Sequence, residues 1–286
     1  MAALFDLHCH STVSDGLLSP TELVAHAANR GVKVLALTDH DDLGGLDIAR
    51  KAAAEHGIAF VNGVEISVTW KRRTLHIVGL KMDIENAALK TALATVRVGR
   101  DERAQQMGAD LARAGIQGAY EGAKALAKQS IITRTHFARF LVANGHAKDT
   151  KTVFKKYLVK GKPGYKEHEW MDLKTAVNLI NGAGGQAVIA HPGRYDLGTI
   201  NMLLLMHEFR SLGGAAIEVV TGSHTPPQYQ QFAKMAHKFS LKSSLGSDFH
   251  GSGISYMDMG CIPNLPDICV PVWSDWPEAT DLADDC

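Results

Sequence analysis

Two short stretches carry side chains able to act together on a metal. His8 and His10 are spaced i, i+2, and so are Asp248 and His250. In an extended chain such pairs project from one face, while Cys9 and Phe249 point to the other. Further residues of ligand type stand at the ends of short apolar runs: Asp15 in a Ser-Asp-Gly turn, His40 in Thr38-Asp39-His40, Glu65, His76, and His191 in His-Pro-Gly. Taken singly, each has an ordinary reading. A histidine in an apolar run is commonly a core residue, and Asp39 is equally a helix cap. Six imidazoles and three carboxylates at strand ends are another matter, because burying so many polar groups without partners costs roughly several kcal/mol each. The set contains no suitable thiolate. It suits Mn2+, Fe2+ or Zn2+ and disfavours iron–sulfur, structural cysteine–zinc and all-oxygen Mg2+ or Ca2+ sites. No serine or cysteine sits in a GxSxG or Cys/His nucleophile context, so a hydroxide bridging the metals is the natural nucleophile.

For these residues to meet, the chain must bring them to one rim. Apolar, β-branched-rich runs at residues 4–8, 34–37, 59–64, 75–79, 187–190, 216–220 and 242–245 read as strands. Between most of them lie helical patterns, at residues 20–31, 46–56, 173–182, 200–212 and 226–239. Ser19-Pro20-Thr21-Glu22 is a helix start with a capping box. The alternation predicts βα units and a mainly parallel sheet. In a parallel α/β barrel the carboxyl ends of the strands converge on one rim, where active sites form. The pattern breaks between residues 97 and 166, which read as helical at 105–114, 135–142 and 150–158. The expected organisation is therefore a discontinuous barrel domain, residues 1–96 and 167–286, with a basic helical insert at 97–166. The glycine run at 182–185 precedes a strand, so it reads as a helix end and turn and not as a dinucleotide motif. Core packing is the expected role of Phe137, Tyr165 and Trp170. Trp273 and Trp276 are expected to cover the barrel bottom or an edge, and residues 281–286 to fray.

Composition narrows the function. The chain has 286 residues, 45% of them hydrophobic and 21% charged, with 30 Lys+Arg balancing 30 Asp+Glu. That excludes a disordered tail, a fibre and a disulfide-stapled mini-protein. No apolar run approaches the roughly 18 residues of a bilayer span, and the N-terminus lacks a signal-peptide pattern. The four cysteines form no CxxC pair, which points to a reducing, cytoplasmic location. Zero net charge conceals an asymmetry: residues 97–166 hold 15 Lys+Arg against 5 Asp+Glu. A positive insert over a metal-bearing rim faces an anion. Arg97, Arg100 and Arg103 share a helix stripe, with Arg97 read as a surface ion-pair partner. Arg100, Arg103, Arg134, Thr135 and Arg194 are the candidate phosphate contacts, with Lys160 and Lys162 behind them. Guanidinium groups grip phosphate bidentately, which fits a substrate with two phosphates.

These residues also carry a resemblance. His8-x-His10, Ser14-Asp15-Gly16, Thr38-Asp39-His40, Gly63-Val64-Glu65, His76, Ala190-His191-Pro192 and Ser247-Asp248-Phe249-His250 resemble the ordered motifs of the PHP (polymerase and histidinol phosphatase) family. The resemblance implies a distorted (β/α)7 barrel holding two or three divalent ions, Mn2+ by preference, with all nine ligand positions filled. The expected partition places His8, His10, Glu65 and Asp248 around one ion, with Glu65 bridging to a second held by His76 and His191, and Asp15, His40 and His250 holding a third or completing the cluster. Arg100-Asp101-Glu102-Arg103-Ala104, Thr133-Arg134-Thr135-His136-Phe137-Ala138 and Gly161-Lys162-Pro163-Gly164-Tyr165 resemble the subgroup acting on 3′,5′-nucleotide bisphosphates and short 5′-phosphorylated oligonucleotides. In that subgroup the insert is a lid. The expected activity is metal-dependent removal of the 3′-phosphate, together with 5′-3′ trimming of short 5′-phosphorylated RNA, with His191, His250, Asp15 or His40 protonating the leaving oxygen. The partner is a small anionic nucleotide or short oligonucleotide; no obligate protein partner and no membrane are implied. Histidinol-phosphate phosphatase and a non-catalytic PHP module are the alternatives.

Overall fold

The short apolar runs become strands in the computed structural model, which describes residues 4–128 and 131–277. The strands are β1 (Phe5–Asp6), β2 (Val34–Leu37), β3 (Ala59–Trp70), β4 (Arg73–Leu80), β5 (Met171–Asp172), β6 (Gln186–Ile189), β7 (Ala216–Thr221) and β8 (Lys242–Gly246), of which β5 alone matches no expected run. Hydrogen bonding runs in the order β1-β2-β3-β4-β6-β7-β8, with the two-residue β5 beside β3. The circuit then closes. Leu7 N donates to Leu245 O at 3.2 Å, and Asp248 N donates to His8 O at 2.8 Å. Gly246 permits that approach, since a Cβ there would meet His8 N at 2.6 Å. The result is a distorted (β/α)7 barrel with a helical insert over its rim.

One strand departs from the expected parallel pattern. β4 runs antiparallel to both β3 and β6. Only two residues, Lys71 and Arg72, join β3 to β4, with φ of 46° and 62°. So short a connection permits a hairpin and forbids a parallel crossover. Gly or Asn usually fills such positions, so the sequence carries no hairpin signal here.

The helices are α1 (Pro20–Asn29), α2 (Leu46–Glu55), α3 (Ala87–Arg113), α4 (Ala119–Ala127), α5 (Arg134–Ala143), α6 (Thr150–Val153), α7 (Leu173–Gly182), α8 (Gly198–Ser211) and α9 (Pro226–Lys238). Ser19 and Glu22 form the capping box of α1. A π-helical turn, Phe154–Leu158, continues α6. Helix α3 is far longer than the segment expected at 105–114, and α4 lies where no element was expected. α3 also serves two cores. Leu89 and Leu93 pack into the barrel, whereas Ala104, Met107 and Leu111 join Ala123, Phe137, Leu141 and Leu158 in a separate cluster. At the opposite end of the barrel Trp273 stacks on Phe5 at 4.2 Å, and Trp276 Nε1 donates to Gln186 Oε1. The tail at 281–286 lies outside the described residues.

Asp172 caps α7, accepting from Thr175 N at 2.8 Å and Thr175 Oγ1 at 2.9 Å. Those hydrogen bonds hold its carboxyl below the ordinary value. The cap therefore stabilises the fold above the unfolded-state pKa and fades as pH falls through the folded-state value. Asp172→Ala is expected to cost about 1 kcal/mol in urea unfolding at pH 7, with the deficit shrinking in acid.

Candidate metal centre

All nine expected ligand residues arrive at one rim. His8 and His10 follow β1, Asp15 lies in the next turn, and His40 follows β2. Glu65 projects from β3, His76 from β4, His191 follows β6, and Asp248 and His250 follow β8. Glu65 is central. Its Oε1 lies 2.8 Å from His76 Nδ1 and 2.9 Å from His191 Nε2. Its Oε2 lies 2.8 Å from His40 Nδ1, 3.3 Å from His10 Nε2 and 3.4 Å from His8 Nε2. Asp248 Oδ1 is 3.4 Å from His10 Nε2 and 3.6 Å from His8 Nε2. Asp15 Oδ1 is 3.3 Å from His250 Nε2.

The donors fall into overlapping sets of metal-binding size: His8, His10 and Asp248; His8, Glu65 and His191; His40, Glu65 and His76; and His10, Asp15, His40 and His250. His10 thus faces the third expected group as well as the first. His76 and His191 occupy different sets, although both meet Glu65 Oε1. The donor chemistry fits a divalent cation. Glu65 Oε2 and His40 Nδ1 are buried without a hydrogen-bond partner despite their 2.8 Å separation. His8 Nε2 and His10 Nε2 face each other at 3.1 Å. A divalent cation held among these donors would satisfy them.

Burial sets the charge states. It pushes His10 and His191 down to about 3, assisted by the charges of His250 and Arg194 respectively. Both imidazoles are then neutral with lone pairs available. Burial opposes ionisation of Asp15, Glu65 and Asp248, but the facing imidazoles prevail and hold all three well below the ordinary range. Two of the expected ligands also have left-handed backbone. His191 has φ of 28° and Asp248 φ of 55°, conformations that cost non-glycine residues about 1–3 kcal/mol.

Above the rim, Arg100, Arg103, Arg134, Thr135 and Arg194 line one cavity with Asp15, His40, Glu65, His76, His191, Asp248 and His250. Lys160 and Lys162 do not line it. They are exposed, beside Gly161, beyond the π-helical turn. The arginines divide into two classes. Arg100 is bound to Asp41, Nε to Oδ2 at 2.7 Å, and gives Nη2 to Ser67 Oγ at 2.7 Å. Arg194 Nη1 donates to Asp248 Oδ2 at 2.8 Å. Arg103 and Arg134 form no ion pair among the described residues, and burial lowers both, Arg103 to about 9. Arg97 reaches Asp41 O at 3.0 Å and Asp42 Oδ2 at 3.6 Å, the ion pair expected of it.

Sequence reasoning missed several residues. Asp39 is no helix cap; it accepts from Ser11 N, Ser11 Oγ and Ser14 Oγ beneath the site. Asp41 anchors Arg100, and the acid-rich run Asp39 to Asp42 was the available signal. Thr133, at the start of α5, donates to Asp15 Oδ2 at 2.9 Å. Glu218 is fully buried against His8, and its signal was a lone acid in an apolar strand. Phe137 packs in the insert core, as expected, whereas Trp170 lines the cavity beneath the Arg100 and Arg103 guanidiniums. Tyr165 lines a neighbouring cavity with Arg72 and His168. Cys9 turns away from the site and donates Sγ to Ala36 O.

Comparison with known proteins agrees with this geometry. The PHP domain family matches residues 6–168. A 3′,5′-nucleoside bisphosphate phosphatase of Chromobacterium violaceum is 52% identical over 95% of this chain and 95% of its own. A 5′-3′ exoribonuclease of Haemophilus influenzae is 44% identical over 96% of this chain and 99% of its own. A solved structure of an amidohydrolase from Chromobacterium violaceum, with bound sulfate and no metal, superposes with a TM-score of 0.93 at 51% identity, covering 96% of this chain and 95% of that one.

If the cluster binds cations, Mn2+ at about 100 times its Kd raises the unfolding free energy by about 2.7 kcal/mol. Glu65→Gln is expected to abolish that increment while the metal-free protein still folds, as read by thermal denaturation with and without chelator.

Proposed function

The chain belongs to the PHP domain family, and on that premise we propose that it removes the 3′-phosphate from 3′,5′-nucleotide bisphosphates such as adenosine 3′,5′-bisphosphate and trims short 5′-phosphorylated RNA from its 5′ end. Both activities break the bond between phosphorus and a 3′ oxygen. They differ in whether that phosphorus carries further chain, which is how a phosphatase and an exoribonuclease can both be relatives of one site. The observation that carries the reading is the cavity itself, with its buried imidazole–carboxylate rim on one wall and arginines on the other.

Divalent ions held by His8, His10, Asp15, His40, Glu65, His76, His191, Asp248 and His250 would supply a nucleophilic water near neutral pH and offset charge on the phosphoryl oxygens. Mn2+ is the proposed ion on the family resemblance, the imidazole–carboxylate donor set suiting Fe2+ and Zn2+ as well. Arg103 and Arg134 take the second phosphate, because they are the cavity arginines without an acidic partner among the described residues. Arg100 stiffens that wall through Asp41, and Arg194 orients Asp248. Thr135, in the first turn of α5, lines the same wall. The leaving 3′ oxygen takes its proton from His40 or His250, which line the cavity, and not from Asp15, which stays ionised, or His191, which stays neutral. No helix among the described residues is long and apolar enough to cross a membrane. The cysteines they contain, Cys9, Cys261 and Cys269, are free, in keeping with the reducing cytoplasm where such nucleotides arise.

A panel of adenosine 3′,5′-bisphosphate, a 5′-phosphorylated trinucleotide and histidinol phosphate, assayed with Mn2+, tests the reading. The first two should turn over and histidinol phosphate, which carries one phosphate and a cation, should lag far behind; release from histidinol phosphate alone refutes the proposal. Arg134→Ala is expected to lower kcat/KM for the bisphosphate by roughly 10- to 100-fold, the loss of one charge-assisted hydrogen bond. Turnover of a simple phosphate monoester should fall much less.

A further inference from the structure

Glu218 lies in β7 between apolar neighbours, Ile217 and Val219, and the whole strand is buried. An ionisable group in that setting needs partners. The register of β7 against β8 shifts between Glu218 and Val220, an irregularity of the kind that re-aims a side chain beside an active site. The carboxylate uses both oxygens on residues of the metal rim. Oε1 lies 2.7 Å from His8 Nδ1, and Oε2 accepts from His191 N at 2.6 Å. His8 and His191 come from opposite parts of the sequence, and His191 is the residue with φ of 28°.

We propose that Glu218 is a positioning residue that fixes the tautomer of His8 and the strained peptide of His191 in the arrangement that binds a divalent cation. A carboxylate only accepts hydrogen bonds, so the His8 nitrogen facing it carries the ring proton. That leaves His8 Nε2 with its lone pair toward His10 Nε2, Glu65 and Asp248, each within 3.6 Å. The other oxygen holds the His191 N–H and so keeps His191 Nε2 aimed at Glu65 Oε1, 2.9 Å away. One acid thereby orders two donors from different strands. Carboxylates that hold ligating histidines in this way tune metal affinity without touching the ion.

Glu218→Gln is the informative variant. An amide offers one acceptor where the carboxylate offers two. If it keeps the His191 N–H, its NH2 faces His8 Nδ1 and drives the ring proton to Nε2, into the metal rim. The Mn2+ affinity of this variant, measured by calorimetry, is expected to fall about 10- to 100-fold with thermal stability of the metal-free protein near wild type. Glu218→Asp keeps the charge and should recover part of the loss, and it serves as well should the Gln variant fail to fold. With diamagnetic Zn2+ bound, 15N NMR of the imidazoles should place the His8 proton on Nδ1 and none on Nε2. An Nε2 proton there, or a folded Gln variant with unchanged Mn2+ affinity, overturns the assignment. Lower thermal stability with unchanged affinity overturns it too, making Glu218 a residue of the fold alone. The inference rests on the metal reading above: wild-type protein that binds no Mn2+ defeats both, whereas wild-type binding matched by the Gln variant defeats this one only.

Discussion

Everything in this molecule is arranged around one buried carboxylate. Glu65 has imidazole nitrogens of His8, His10, His40, His76 and His191 within 3.4 Å, and the facing imidazoles hold its carboxyl well below the ordinary range despite burial. Nearby Asp15 and Asp248 stay ionised for the same reason, because the imidazoles outweigh the cost of burial. Such a concentration of negative charge and lone pairs, out of reach of bulk water, is stable only with positive charge among it. The barrel is the means of assembling it. Its strand ends deliver donors from residue 8 to residue 250 to one rim, and the left-handed backbone at His191 and Asp248 gives the last correction in aim.

The insert completes the site without supplying metal donors. Its apolar cluster stands apart from the barrel core, yet polar contacts tie it down. Arg100 of α3 pairs with Asp41 behind β2, and Thr133 before α5 reaches Asp15. These tethers consume some of the basic character that the sequence displays. The cavity arginines left without an acidic partner among the described residues are Arg103 and Arg134, the pair proposed to take the second phosphate.

Much of this was legible in the residues. The i, i+2 pairs and the recurrence of His, Asp and Glu after apolar runs located the rim, because strand periodicity maps directly onto which side chains share a face. Seven strands and the barrel helices followed from the same periodicity. Other features obey rules that operate in three dimensions. Lys71-Arg72 adopts a turn that its residue types disfavour, so the antiparallel β4 left no signature. The grouping of donors places His76 with His40 and His191 with His8, a matter of position in space and not of order in the chain. Arg100 and Arg103 look alike in sequence and differ only in the presence of Asp41. Glu218 reads as an oddity in a strand until His8 is seen against it. Lys160 and Lys162 belonged to a basic stretch whose geometry turns them to solvent.

The central claim is that the rim gathered about Glu65 is a multi-cation site. Anomalous X-ray scattering at the manganese edge, from crystals grown with Mn2+, tests it most directly. The account predicts two or three peaks within coordination distance of Glu65, Asp15 or Asp248 and their facing imidazoles. Clear density for ordered side chains with no anomalous peak among them would contradict it.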